Sequence, residues 1–180
     1  MNREALLTAL HRHRPADAIE TEHRQRTIDF VSLNENCCDR NLDSGHITAS
    51  SWIVDETIDH ALLTHHRKLD RWLQLGGHIE DDDDILAAAL REAREESGLS
   101  DIHTLADDIF DVDVHLIPAR KQEPQHDHYD VRFLFQARRG DSLTISDESH
   151  DLRWFTISEL RGLPRDDSID RMVEKMMSLR

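Results

Sequence analysis

The chain has 180 residues, of which 38% are hydrophobic and 33% charged, with a formal net charge of -15 at pH 7. That length favours one domain with a substantial core over two, and so acidic a chain is not expected to bind nucleic acid or anionic membranes through a basic surface. No apolar run is long enough to span a bilayer and Met1-Asn2-Arg3-Glu4 leads into a mixed polar stretch, not a signal-peptide core, so a cytoplasmic location is expected.

Residues 3 to 30 read as helical, with Leu6, Leu7 and Leu10 forming one apolar patch and Pro15 dividing two helices. Residues 1–44 are read as an N-terminal helical extension packed on a domain formed by residues 45–180. The only two cysteines, Cys37 and Cys38, are neighbours, which excludes an intramolecular disulfide framework. A buried thiol pair is one reading; metal binding or redox sensing is the other. From His46 the pattern Ile-Thr-Ala-Ser-Ser-Trp-Ile-Val, then His60-Ala-Leu-Leu-Thr after Asp55-Glu56-Thr57, predicts two strands joined by a short turn.

Beyond a predicted glycine turn at Gly76-Gly77 the sequence becomes a carboxylate-rich helix. The Asp81 to Asp84 run suits its N-terminus, where carboxylates cap free N–H groups. Gly98 suits its end. Leu86, Ala89, Leu90 and Ala93 form an apolar stripe, and directly beside it Glu92, Glu95 and Glu96 stand at relative positions i, i+3 and i+4. Like charges one turn apart destabilise a helix by a few tenths of a kcal/mol per pair. A divalent cation reverses that sign. Carboxylate oxygens are hard ligands that suit Mg²⁺ or Mn²⁺, which commonly share their coordination between carboxylates, water and substrate phosphates. The alternative is a solvated acidic helix.

Further along, Phe110, Val112, Val114 and Leu116 alternate with Asp111, Asp113, His115 and Ile117, and Tyr129, Val131, Phe133 and Phe135 with His128, Asp130, Arg132 and Leu134. Both segments read as half-buried strands. A strand around Leu152 to Thr156 and a helix carrying Ile169, Met172, Val173 and Met176 as a core stripe complete the chain. The fold class is therefore mixed α/β, with a helix packed on a mixed sheet. Histidine is abundant, at 13 residues. His126, His128 and Asp130 share one strand face, with His115 on the matching face of the preceding strand. They make either a substrate or secondary metal cluster or a polar sheet face with ordinary surface histidines. His65, His66 and His78 flank the glycine turn and are better placed to touch a phosphate.

The segment from Gly77 to Leu99 resembles the Nudix box, Gly-x5-Glu-x7-Arg-Glu-U-x-Glu-Glu-x-Gly-U with U aliphatic. Gly77, Arg91, Glu92, Glu95, Glu96, Gly98 and Leu99 match without a gap, Ala93 is a small version of the first aliphatic residue, and Asp83 replaces the first glutamate. His65-His66-Arg67-Lys68 and the Trp72 to His78 stretch are similar to the strand and loop that precede the box in many members, and Glu148, before Trp154, lies in a loop similar to one that supplies an extra acid.

The resemblance implies an α/β/α sandwich and a cation site made by the Gly76 carbonyl with Glu92, Glu95 and Glu96. It makes Glu148 a fourth acidic ligand or general base. Gly77, Asp83, Arg91 and Gly98 have structural roles by this reading, Arg91 as a partner of Glu95. The implied activity is Mg²⁺- or Mn²⁺-dependent hydrolysis of the pyrophosphate bond in a nucleoside diphosphate linked to another group. A homodimer is common among such proteins. Two other functions on the same fold are an isoprenoid-diphosphate isomerase, which would use a cysteine, and a non-catalytic nucleotide-derivative sensor. The position of the cysteines and the retained carboxylates count against them.

Overall fold

In a computed structural model, residues 2–82, 84–119, 124–164 and 166–180 are described. Asn2 caps helix α1 (Arg3–Arg12) by accepting from the Ala5 N–H at 3.1 Å, and Asp17 caps α2 (Ala18–Leu33) by accepting from the Glu20 N–H at 2.7 Å. Pro15 lies in the break, where its missing N–H removes no helical bond. The elements that follow are β1 (Gly45–Val54), β2 (His60–His66), β3 (Arg71–Leu73), β4 (Leu75–His78), α3 (Ile85–Ser97), β5 (Ile102–Thr104), β6 (Asp111–Ile117), β7 (His126–Ala137), β8 (Ser149–Thr156), α4 (Ile157–Leu160) and α5 (Asp167–Met177).

The strands form one curled mixed sheet with β1 as its spine. Along one edge β1 runs parallel to β7 over its whole length; along the other it pairs antiparallel first with β4 and then with β2. The far edge of β7 carries β6 and β5, and β2 carries β8 and β3. Successive β1 side chains point to opposite faces. Ile47, Ala49 and Ile53 join the core under α1, α2 and α3, while Trp52 and Val54 join the core under α4 and α5. This is the α/β/α sandwich expected from the resemblance.

Two expectations need correction. Gly76 and Gly77 lie in β4, opposite Ser50 and Ala49 of β1, so the glycine pair is a strand and not a turn. A side chain at Gly76 would drive its Cβ to 2.6 Å from the Ala49 carbonyl oxygen, so the close backbone approach selects glycine there. Strands β6 and β7 are not half-buried: both faces of Asp111–Val114 and Tyr129–Phe135 are covered, because helices lie on each side of the sheet. Strand β5 and helix α4 are too short to leave a periodic signal, while β3 overlaps the Trp72 to His78 stretch.

Candidate active site

Helix α3 positions the acidic residues. Asp84 accepts from the Ala87 N–H at 2.7 Å, and Gly98, at φ 71°, ends the helix with its N–H on the Arg94 carbonyl. Ala88, Ala89 and Ala93 are fully buried and let the helix lie close on the sheet. The Ser51 hydroxyl of β1 donates to the Ala89 carbonyl at 2.7 Å and so fixes the helix against the strand.

Glu96 is 7% exposed and accepts from the Gly76 N–H at 2.8 Å. Burial pushes its carboxyl up to about 7; the Gly76 hydrogen bond opposes this, and the charges of Glu92, Glu148 and Glu95 add to it. Glu92 is also raised, mainly by burial and against the pull of Arg91. Its carboxylate fills the space beside Gly77, where a Cβ would come within 2.7 Å of it. Glu95 is exposed at the helix surface, and exposed Glu148 faces the same cleft.

Arg91 clamps this arrangement. Its guanidinium donates to Glu92 at 2.9 Å, Glu95 at 3.1 Å, Asp82 at 2.9 Å and the His78 carbonyl at 2.9 Å. Arg91 thus has Glu95 as one partner among several. The acid that holds it is Asp82; Asp83, which the motif alignment singled out, lies outside the described residues.

The carboxylates open onto a cleft of about 730 Å³, whose floor is the β4–β1–β7–β6 face of the sheet. His66, His78, His115, His126 and His128 all line it, together with Gly76, Gly77 and Glu148. His46, which sequence reasoning missed, sits among them, aligned with His128 across the parallel β1–β7 pair. The His46 ring centroid lies 5.0, 5.2 and 4.7 Å from those of His78, His126 and His128. Burial, reinforced by the neighbouring imidazoles, lowers His46 to about 4 and His128 to about 3, so both rings are neutral at pH 7. The His66 Nδ1 accepts from the Lys68 and Leu69 N–H groups and shapes the loop beside the cleft.

One expected site residue is placed otherwise, and another is held by protein partners. His65 points away from the cleft, stacking on Trp72 and pairing with Asp70. Asp130 lines the cleft from its floor but is only 2% exposed, and its oxygens accept from Thr48, Ser50, Gln74 and Arg132. With both oxygens engaged in this way it ties β1 to β7 and the Gln74 segment. Behind it is a buried charge network invisible in the linear pattern. Arg132 pairs with Asp130, Asp111 and Asp113 at 2.7, 3.1 and 3.3 Å, and Arg171 of α5 pairs with Asp111 at 2.7 Å. This network separates the cleft from α5. Cys37 is buried, Cys38 half-buried, and neither lines the cleft, which further disfavours cysteine-dependent isomerase chemistry.

The NUDIX domain family model matches residues 45–175. The chain belongs to the Nudix family. Among solved structures, a C. elegans Ap4A hydrolase in a binary complex superposes with a TM-score of 0.57 at 15% identity, covering 74% of this chain and 96% of that one. The E. coli dihydroneopterin triphosphate pyrophosphohydrolase gives 0.56 at 13% identity, covering 73% and 95%. The NUDIX domain of Shewanella oneidensis NrtR, complexed with ADP ribose, gives 0.52 at 14% identity, covering 81% and 94%. At these identities the likeness is one of fold. No curated protein matches the chain. Among the described residues, no helix is long and apolar enough to cross a membrane.

Proposed function

We propose that this Nudix hydrolase cleaves the pyrophosphate bond of a nucleoside diphosphate linked to another group, with Mg²⁺ or Mn²⁺ as cofactor. The observation that carries this reading is the convergence of Glu92, Glu95 and Glu96, clamped by Arg91, on a cleft that also receives Glu148. Ap4A hydrolysis and ADP-ribose binding, named for two proteins of the same fold, support a nucleotide-derived substrate.

The residues fit the cofactor. Glu92, Glu95, Glu96 and the Gly76 carbonyl offer hard oxygen donors, and the charge that burial, with a smaller part from neighbouring carboxylates, makes costly on Glu92 and Glu96 is the kind a cation stabilises. When bound, the ion offsets phosphate charge and makes a water more acidic. Arg91 holds Glu92 and Glu95 in place, Glu148 takes the proton of the attacking water, and His78, His115, His126 and His128 face the substrate from the floor, with His66 beside them. Phosphate release is measured over a panel of nucleotide derivatives, with and without Mg²⁺. The proposal expects hydrolysis that requires Mg²⁺ and is abolished in folded Glu95→Gln; turnover at the wild-type rate in that variant refutes it.

A further inference from the structure

We propose that His46, His78 and His128 form a binding site for a transition-metal ion of the Zn²⁺ class, distinct from the glutamate site and open to the cleft. The three residues come from neighbouring strands β1, β4 and β7, and one ligand nitrogen from each lies within 4.8 Å of the other two. Three imidazole nitrogens bound tetrahedrally to Zn²⁺ at 2.0–2.1 Å stand about 3.3 Å apart. The gap closes by turning rings, with the strands left where they are.

His46 supplies the second observation. It is 1% exposed, and both its Nδ1 and its Nε2 are buried without a hydrogen-bond partner. Leaving a buried polar atom unsatisfied destabilises a fold, and an apolar side chain would fill the same place without that cost. The ring sits between His78 and His128. Coordination to a shared ion removes the penalty at one nitrogen and gives this residue type a purpose there.

Donor chemistry sorts the two sites. Imidazole suits Zn²⁺, Co²⁺ and Ni²⁺, whereas the carboxylates of α3 suit Mg²⁺ and Mn²⁺. Three protein ligands would leave a fourth position for water or an anionic oxygen of a ligand, and all three residues line the cleft. His115 and His126 border the trio, each with its Nδ1 engaged elsewhere, by Asp113 and by the Pro124 carbonyl. The proposal does not depend on the hydrolase reading.

Metal-free protein is titrated with Zn²⁺ against a chromophoric chelator in excess Mg²⁺, and Co²⁺ is added separately as a spectroscopic probe. The expected result is one equivalent of Zn²⁺ bound, with Co²⁺ giving the intense visible bands of four-coordinate geometry. His78→Ala and His128→Ala each weaken Zn²⁺ by about a hundredfold or more, exceeding the 10–100-fold typical of outer-shell partners. Glu95→Gln and Glu148→Gln retain it. His46→Ala alters a buried position and is read together with circular dichroism; half-buried His78 provides the variant that keeps the fold. The proposal is overturned if wild-type protein binds no stoichiometric Zn²⁺, if the His78 and His128 variants bind it unchanged, or if Glu95→Gln loses it equally. Because no substrate is present, any of these results leaves the hydrolysis assay to be judged separately.

Discussion

Glu96→Gln is expected to abolish turnover and, in metal-free solution at pH 8, to make the protein more stable. The folded carboxyl titrates at about 7 against an unfolded value of 4.5. Its raised value means that the folded state holds the proton more tightly. The associated stability is fully present below about pH 4.5 and is lost as pH rises through 7. At about 1.4 kcal/mol per unit, the charged carboxylate costs the fold about 3 kcal/mol above pH 7. Glutamine keeps an oxygen for the Gly76 N–H but brings an amide donor to a buried position, which offsets about 1 kcal/mol of the gain. The net of about 2 kcal/mol corresponds to a rise in Tm of about 4–8 °C for a chain of this size. Calorimetry in chelator at pH 8 and pH 4.5 measures it, and at the lower pH the variant's advantage should be gone, leaving it no more stable than wild type. Added Mg²⁺ should raise Tm of the wild type and leave the variant nearly unmoved. A metal-free variant no more stable than wild type at pH 8, or equally stabilised at both pH values, refutes the reasoning.

Gly77→Ala and Gly76→Ala should separate activity from folding. At Gly77 the new Cβ meets only the movable Glu92 carboxylate, so the fold survives while the Mg²⁺ concentration for half-maximal activity rises by about tenfold; at Gly76 it meets β1 backbone, so soluble yield and Tm fall. Arg132→Met leaves Asp111, Asp113 and Asp130 short of a buried cation and should destabilise by about 3 kcal/mol at pH 7, measured by urea unfolding. Asp113 and Asp130 are held below the usual carboxylate range despite burial, chiefly by the Arg132 charge. Wild-type stability from this network is therefore present above about pH 4 and lost as pH falls, and the variant's deficit shrinks with it.

The acidic helix α3 was legible because its information is local: Glu92, Glu95 and Glu96 declare a shared face by spacing alone, and Asp84 and Gly98 mark its ends. His46 was not legible, because its neighbours His78 and His128 arrive by strand pairing, the latter from 82 positions away in a parallel register that no local pattern specifies. The Gly76-Gly77 pair reads as a turn by propensity, and pairing with β1 overrides it. Asp111, Asp113, Asp130 and Arg132 read as the wet side of alternating strands, since charge alternation looks the same whether water or another charge answers it. Their mutual neutralisation depends on contacts between β6, β7 and α5.

The alternation of β1 also makes its register a safeguard. His46, Thr48 and Ser50 face the cleft while Ile47, Ala49 and Ser51 face α3 and the core. A slip of one residue would exchange the two sets, burying an imidazole among aliphatic side chains and turning Ile47 toward the cleft. Misregistered molecules would thus be both inactive and unstable, available for clearance before they could accumulate as folded but inert protein. An inserted residue between positions 46 and 51 should be tolerated far less than one in the surface loop at Gly140, where a new Cβ meets nothing within 4 Å.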